Sequence, residues 1–253
     1  RSARGAGRRT GRNSAGAGRA SPGTRAPGEA VPQLGRSVRL RVIGWLLAAS
    51  LACQAGLAAE QADFLGAPVS RDARYVADWA VRSGDHHGLP FVIVDKLHSR
   101  VFVFDGQARL LGTARALLGL APGDAGVAGI GARALSTILP EERTTPAGRF
   151  VASLDRNAHG DEILWVDYDA AIALHRVAVG VPLERRLQRL ASLVAADHRI
   201  TYGCINVPVK FFLEVVAPAF RRSDGIVYVL PETRPAQEVF GASQALPPVP
   251  SGL

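Results

Sequence analysis

From residue 91 to residue 230 the chain is cut into short apolar runs, and their spacing decides what it can become. Residues 91–95 (FVIVD), 101–105 (VFVFD), 149–154 (RFVASL), 162–167 (EILWVD), 171–177 (AIALHRV), 200–205 (ITYGCI) and 225–230 (GIVYVL) are rich in valine, isoleucine and aromatic residues. Each is too short for a stable helix and is bounded by glycine, aspartate or proline, which predicts strands. Asp105-Gly106 is a turn signal leading into residues 108–112, so the first runs are expected to form a three-stranded meander. A chain with this many short strands must bury them against one another. The core is predicted to be mainly β.

Helical spacing is confined to three places. Tyr75, Val76, Trp79 and Ala80 share one face of residues 72–82, with Asp72 as the expected cap and Ser83-Gly84 as the stop. Leu183, Leu187, Leu190 and Val194 recur at helical spacing after Pro182, and residues 207–216 open with a proline suited to a first turn. Residues 119–144 carry five glycines and weak periodicity, longer than an ordinary connection, and are expected to line or cover a site.

The net charge of +8 raises nucleic-acid binding, but its location removes that reading. Residues 1–41 hold ten basic residues and one acidic, leaving twenty basic against twenty-one acidic in residues 42–253. A neutral body has no footprint for a phosphate backbone, so no nucleic-acid partner is expected. Residues 1–35, rich in Arg, Gly, Ala and Ser, cannot form a core and read as disordered, or as an upstream artefact of translation-start assignment. The chain has no methionine, and a true start near Val38 is expected. In residues 36–59 a basic flank precedes an apolar run ending in small residues, the layout of a secretory signal; a retained membrane anchor is the alternative. The expected location is therefore the periplasm or cell envelope, with membrane attachment only through that segment. Residues 60–89 read as a leading helix and linker, residues 90–231 as the functional domain, and residues 232–253, rich in Pro and Ala, as a flexible tail.

Removal of the signal between residues 56 and 60 leaves one cysteine, Cys204. A lone thiol in an oxidising compartment implies deep burial or a use. Use is favoured here: Gly203 permits close backbone approach, and a helix expected just after Asn206 would turn its positive end toward a thiolate. A cysteine nucleophile also needs a base and oxyanion donors, for which His175 and the backbone N–H groups of Gly203 and Cys204 are the candidates. His198 lies six residues away, about 20 Å along an extended chain, and is the less favoured base. His86, His87, His98 and His159 are expected at the surface, with no metal-ligand spacing; no metal and no cofactor are predicted.

Three blocks, Thr144-Thr-Pro-Ala-Gly-Arg-Phe150, Ile172-Ala-Leu-His175 and Ile200-Thr-Tyr-Gly-Cys-Ile-Asn206, resemble in content and order the signature of the L,D-transpeptidase (YkuD-like) catalytic domain. The resemblance covers about residues 91–230. It implies a β-sandwich with two or three peripheral helices, a Cys204 nucleophile, a His175 general base and an oxyanion stabilised near Gly203 and Cys204. The substrate site is expected to include Thr201, Tyr202 and Asn206, and the resemblance further implies peptidoglycan stem peptides as substrates and a role in cell-wall organisation and cell shape. The chain is expected to act as a monomer. It departs from the pattern at Tyr202, where the family usually has histidine, at Arg176, where a small residue is common, and in a longer spacer between His175 and Thr201. Strand alternation would put residues 202 and 204 on one face, which assigns Tyr202 to substrate binding or carbonyl polarisation. The competing readings are a non-catalytic peptidoglycan-binding module with a degenerate site, and a zinc hydrolase built on Cys204, His175 and His198.

Overall fold

The computed structural model describes residues 61–241. Ten strands form in chain order: β1 (Phe91–Asp95), β2 (Arg100–Phe104), β3 (Leu110–Arg115), β4 (Leu118–Gly119), β5 (Gly148–Arg156), β6 (Glu162–Asp167), β7 (Ile172–Arg176), β8 (Arg199–Thr201), β9 (Ile205–Val207) and β10 (Gly225–Val229). The helices are α1 (Arg71–Arg82), α2 (Arg186–Ala191), α3 (Val209–Phe211), α4 (Ala217–Phe220) and α5 (Ala236–Phe240). Eight strands make one mixed sheet in the order β3-β2-β1-β10-β5-β6-β7-β9, and β4 pairs with β8 separately. The expected meander is β1–β3, and the domain is mainly β.

All five residues of β1 are buried, because the sheet is covered on both sides there. Alternation divides them. Phe91 and Ile93 join Phe102, Phe104, Ile226 and Tyr228 in a core closed by α1 and α5. Val92 and Val94 join Val101, Val103, Val227 and Val229 in a second core, filled by Phe212, Val216, Ala217 and Phe220. Those four residues lie on a rod made of α3, a π-helical turn (Phe212–Val216) and α4. The wide turn lies just ahead of Pro218, whose ring cannot donate to the Glu214 carbonyl and would crowd it in a regular α-helix. Leu164, Leu174 and Ile205 bury against the same core, so the β6–β7–β9 end of the sheet is held by the rod.

Four expectations change. The run at 200–205 is two strands in two sheets, because Gly203 has φ +129° and interrupts it. The cap of α1 is Ser70, whose Oγ accepts from the Ala73 N–H at 3.1 Å, rather than Asp72. His86 is buried, with Nδ1 3.0 Å from the Ala80 carbonyl and its ring against Phe91. Finally, the segment after residue 231 is ordered through Gly241: α5 follows Pro235 and buries Ala236 and Phe240 beside Trp79 and Tyr228. Composition concealed this helix because it needs only two apolar contacts to dock. The regions assigned to residues 1–35 and 36–59 lie outside the described residues, as do residues 242–253. No helix among the described residues is long and apolar enough to cross a membrane.

The long connection at 119–147 contains three 3-10 turns and is tied down by a buried cation. Lys96, fully buried just after β1, donates to the Gly123 carbonyl, to Asp124 Oδ1 at 2.9 Å and to the Thr145 carbonyl at 3.0 Å. Glu232 completes the cluster, 3.4 Å from Lys96 and paired with Arg199. Burial alone would raise the Asp124 pKa, but hydrogen bonds from Thr233 and Lys96 prevail and hold it well below the carboxylate range. A charge as deep as Lys96 is tolerated because carboxylates and carbonyls surround it.

Candidate active site

The turn between β8 and β9 places Cys204. Thr201 Oγ1 accepts from the Gly203 N–H at 3.1 Å and donates to the Cys204 carbonyl at 2.6 Å, stapling four residues into a tight bend. Thr145 locks that bend from outside: its buried Oγ1 donates to the Gly203 carbonyl at 2.8 Å and accepts from the Gly119 N–H at 2.8 Å. A Cβ on residue 203 would meet Ile172 Cδ1 at 2.5 Å and the Thr144 carbonyl oxygen at 2.8 Å, so both space and backbone angle demand glycine.

Strand pairing brings His175 to the cysteine. β7 and β9 run parallel, with Leu174 opposite Ile205 and His175 opposite Asn206. Leu174 and Ile205 point into the core, so His175, Asn206 and, by alternation, Cys204 share the other face.

A chain of hydrogen bonds fixes the protonation of His175. The Arg186 guanidinium donates to Asn206 Oδ1 at 2.7 Å, which turns Asn206 Nδ2 toward His175 Nε2 at 3.0 Å. Nε2 must therefore be the acceptor. His175 Nδ1 lies 2.8 Å from the Arg176 carbonyl, which can only accept, so Nδ1 carries the hydrogen. The ring is neutral with both nitrogens engaged. Burial pushes its pKa below the ordinary histidine value, against the bond to the Arg176 carbonyl and with the help of the Arg186 and Arg176 charges. Arg186 is itself braced by Glu184, 2.6 Å away.

Cys204 is half-buried, and its Sγ lies 3.6 Å from the Ala171 carbonyl, to which the thiol donates. Burial pushes its pKa up; a backbone contact at Ala173 and the Arg186 charge oppose that rise. The expected help from a helix end is missing, since β9 intervenes and α3 begins only at Val209. The resting pair is thus neutral thiol and neutral imidazole, each hydrogen-bonded elsewhere and not to the other.

The other expected residues take different places. Thr201 and Asn206 are buried and spend their side chains inside the turn and on His175, so neither reaches out to a substrate. Of the two proposed oxyanion donors, the Gly203 N–H is used by Thr201, which leaves the Cys204 N–H. Residues 202 and 204 do not alternate on a strand, and the Tyr202 ring instead carries the Arg143 guanidinium, 4.0 Å from its centroid. His198 is buried away from this cluster with no hydrogen bond to either ring nitrogen. Burial and the nearby Arg115 charge lower its pKa; the Ser192 and Arg189 carbonyls offset this in part without reaching bonding geometry. No three His, Cys, Asp or Glu side chains converge to hold a metal among the described residues, and His198 does not join Cys204 and His175. Thr145, Arg143 and Arg186 were not singled out in the sequence. Thr145 at least lies in a motif block, whereas Arg186 lies in the extra spacer, whose length was the only signal.

No protein-family model and no curated protein matches this chain. Among solved structures, it is similar to the helical cell shape determining protein Pgp2 from Campylobacter jejuni, at 16% identity and a TM-score of 0.38, over 60% of this chain and 52% of that one. It is also similar to LD transpeptidase LdtMt1 in complex with imipenem, at 15% identity and a TM-score of 0.31, over 56% and 58% of the two chains. The chain thus spans little more than half the length of either protein.

Proposed function

We propose that the domain is a cysteine acyltransferase of the L,D-transpeptidase type acting on peptidoglycan stem peptides in the cell envelope. The observation that carries this is the bend at residues 201–204, which delivers Cys204 onto the face that His175 occupies in the adjoining strand. In the proposed reaction Cys204 Sγ attacks the carbonyl after an L-configured centre while His175 Nε2 takes the thiol proton. The Asn206 N–H must yield that lone pair as the proton arrives. The carbonyl oxygen gathers charge beside the Cys204 N–H. The C–N bond to the terminal D-alanine then breaks, and its amine leaves with the proton from His175. An amine of a second stem attacks the thioester to form a new amide and restore the thiol; water in its place would release a carboxylic acid. Hydrogen bonds of this kind are commonly loose before substrate binds, so the resting geometry is compatible with the role.

A second reading has its own support: a thiol turned to the Ala171 carbonyl and a histidine with both nitrogens engaged suit a stem-peptide-binding module without turnover. Incubation of the exported protein with a disaccharide tetrapeptide separates the two by mass spectrometry. An acyl-enzyme adduct and trimmed or crosslinked product are expected, both lost in Cys204→Ala. Saturable binding with no adduct would establish the second reading. Export itself is tested by N-terminal sequencing of envelope-associated protein, expected to begin between residues 57 and 61.

A further inference from the structure

We propose that Arg143, laid on the ring of Tyr202, recognises a carboxylate of the acyl donor; this rests on the acyl-transfer reading of the same site. The guanidinium carbon sits 4.0 Å from the Tyr202 ring centroid, a cation–π contact on the residue two before Cys204. Its Nε and Nη2 both donate to the Ile138 carbonyl, at 3.3 and 3.0 Å. A guanidinium has five N–H groups in a fixed plane. Two are spent on Ile138, which leaves the Nη1 pair and one on Nη2, and these form the edge that grips a carboxylate through two parallel bonds. Among the described residues no carboxylate pairs with Arg143, so that edge is unspent.

The position is rigid as well as free. Arg143 leads directly into Thr144 and Thr145, whose backbone and hydroxyl abut Gly203, so the arginine is registered to the nucleophile's turn rather than to a loose loop. Its own carbonyl accepts from the Ala121 N–H at 3.1 Å, which pins the backbone at that point. Tyrosine at 202 now has a physical reason: a broad, electron-rich ring holds the guanidinium flat, which a histidine does less well.

A donor peptide offers two carboxylates, the terminal one on the departing residue and any on the side chain before the scissile bond. The experiment therefore compares three synthetic tetrapeptides, one with both acids free, one amidated at the C-terminus and one amidated on that side chain, measuring kcat and KM with wild-type protein, Arg143→Met, Tyr202→Phe and Tyr202→Leu. Wild type should favour the free acid over one of the two amides by about ten- to a hundredfold in kcat/KM, the range of a charge-assisted pair, and that amide identifies the carboxylate. Arg143→Met should erase the preference through KM, with kcat within about threefold. Tyr202→Phe keeps the ring and should keep the preference; Tyr202→Leu should lose it. Since each variant is compared with itself on acid and amide, a general loss of fold or activity does not imitate the result. Equal use of all three peptides by wild type, or an undiminished preference in Arg143→Met, would overturn the proposal. Should no peptide turn over, acyl transfer itself has failed, and calorimetric binding of the same peptides to Cys204→Ser protein still decides carboxylate recognition by the same criterion.

Discussion

Replacing Arg186 with methionine should raise the pKa of His175, because Arg186 adds to the effect of burial on that ring in two ways. First, the guanidinium sits across the Asn206 amide from His175 Nε2, two hydrogen bonds of 2.7 and 3.0 Å with an amide between them. At an effective dielectric near 20, a positive charge two hydrogen bonds away disfavours the imidazolium by on the order of 2 kcal/mol. Glu184, 2.6 Å from Arg186, cancels part of that. Second, loss of the guanidinium frees Asn206 to rotate and offer Oδ1, an acceptor that a protonated Nε2 can use. Nitrogen-edited NMR of the imidazole as a function of pH measures both effects. Wild type should show the Nδ1–H tautomer and a pKa below 6.5, the ordinary value. Arg186→Met should titrate higher, and Glu184→Gln lower still than wild type. A folded Arg186→Met protein whose His175 titrates at or below the wild-type value would refute the reasoning.

Two further outcomes follow from the same contacts. Thr145→Val keeps the shape but orphans the buried Gly203 carbonyl and Gly119 N–H, at a cost of about 2–4 kcal/mol, or about 5–15 °C in melting temperature; a shift under about 2 °C would show that the hydroxyl does not hold the turn. Because the Asp124 pKa is depressed in the folded state, its contribution is complete above the ordinary value of 3.8 and is lost as pH falls below it. Chemical denaturation between about pH 4 and pH 2 should therefore show a slope that flattens in Asp124→Asn, and an unchanged slope would count against the Lys96 cluster as an acid-labile clamp.

The strands were legible because they are short, continuous apolar runs: β1, β2 and β10 place large apolar residues on both faces and leave no other way to be buried. That the strand carrying His175 runs beside the segment just after Cys204 was legible through motif order. What sequence could not supply was the direction of each hydrogen bond. Asn206 reads as a substrate contact until its register partner is known to be His175, and a one-residue change in that register would send its side chain into the core. Arg186 and Arg143 are invisible in the same way, since Arg186 acts across twenty residues and Arg143 through a ring that only the fold brings beneath it. The helix end assigned to Cys204 failed because a proline after an apolar triplet marks a helix start equally well whether or not a short strand precedes it, as β9 does before Pro208.

The neutral pairing of Cys204 and His175 bears on how this cysteine would survive in the proposed envelope location. Thiolates, not thiols, react with peroxides and exchange with disulfides. In the structure the thiol proton is held by the Ala171 carbonyl and the only imidazole lone pair by the Asn206 amide, so neither partner draws the other toward charge. Separation of charge in a half-buried site costs free energy unless a developing anion is stabilised at the same moment. A substrate carbonyl beside the Cys204 N–H supplies that; an oxidant passing through does not. In the envelope location proposed above, the network that ends at Arg186 thus delays activation until substrate is seated. Asn206→Leu, which frees His175 Nε2 for protonation while keeping the Arg186 charge that itself favours the thiolate, should therefore leave Cys204 more readily oxidised by hydrogen peroxide near pH 6.5, and mass spectrometry of the thiol reads that directly. Equal or slower oxidation of the variant would show that His175 protonation does not govern the thiol.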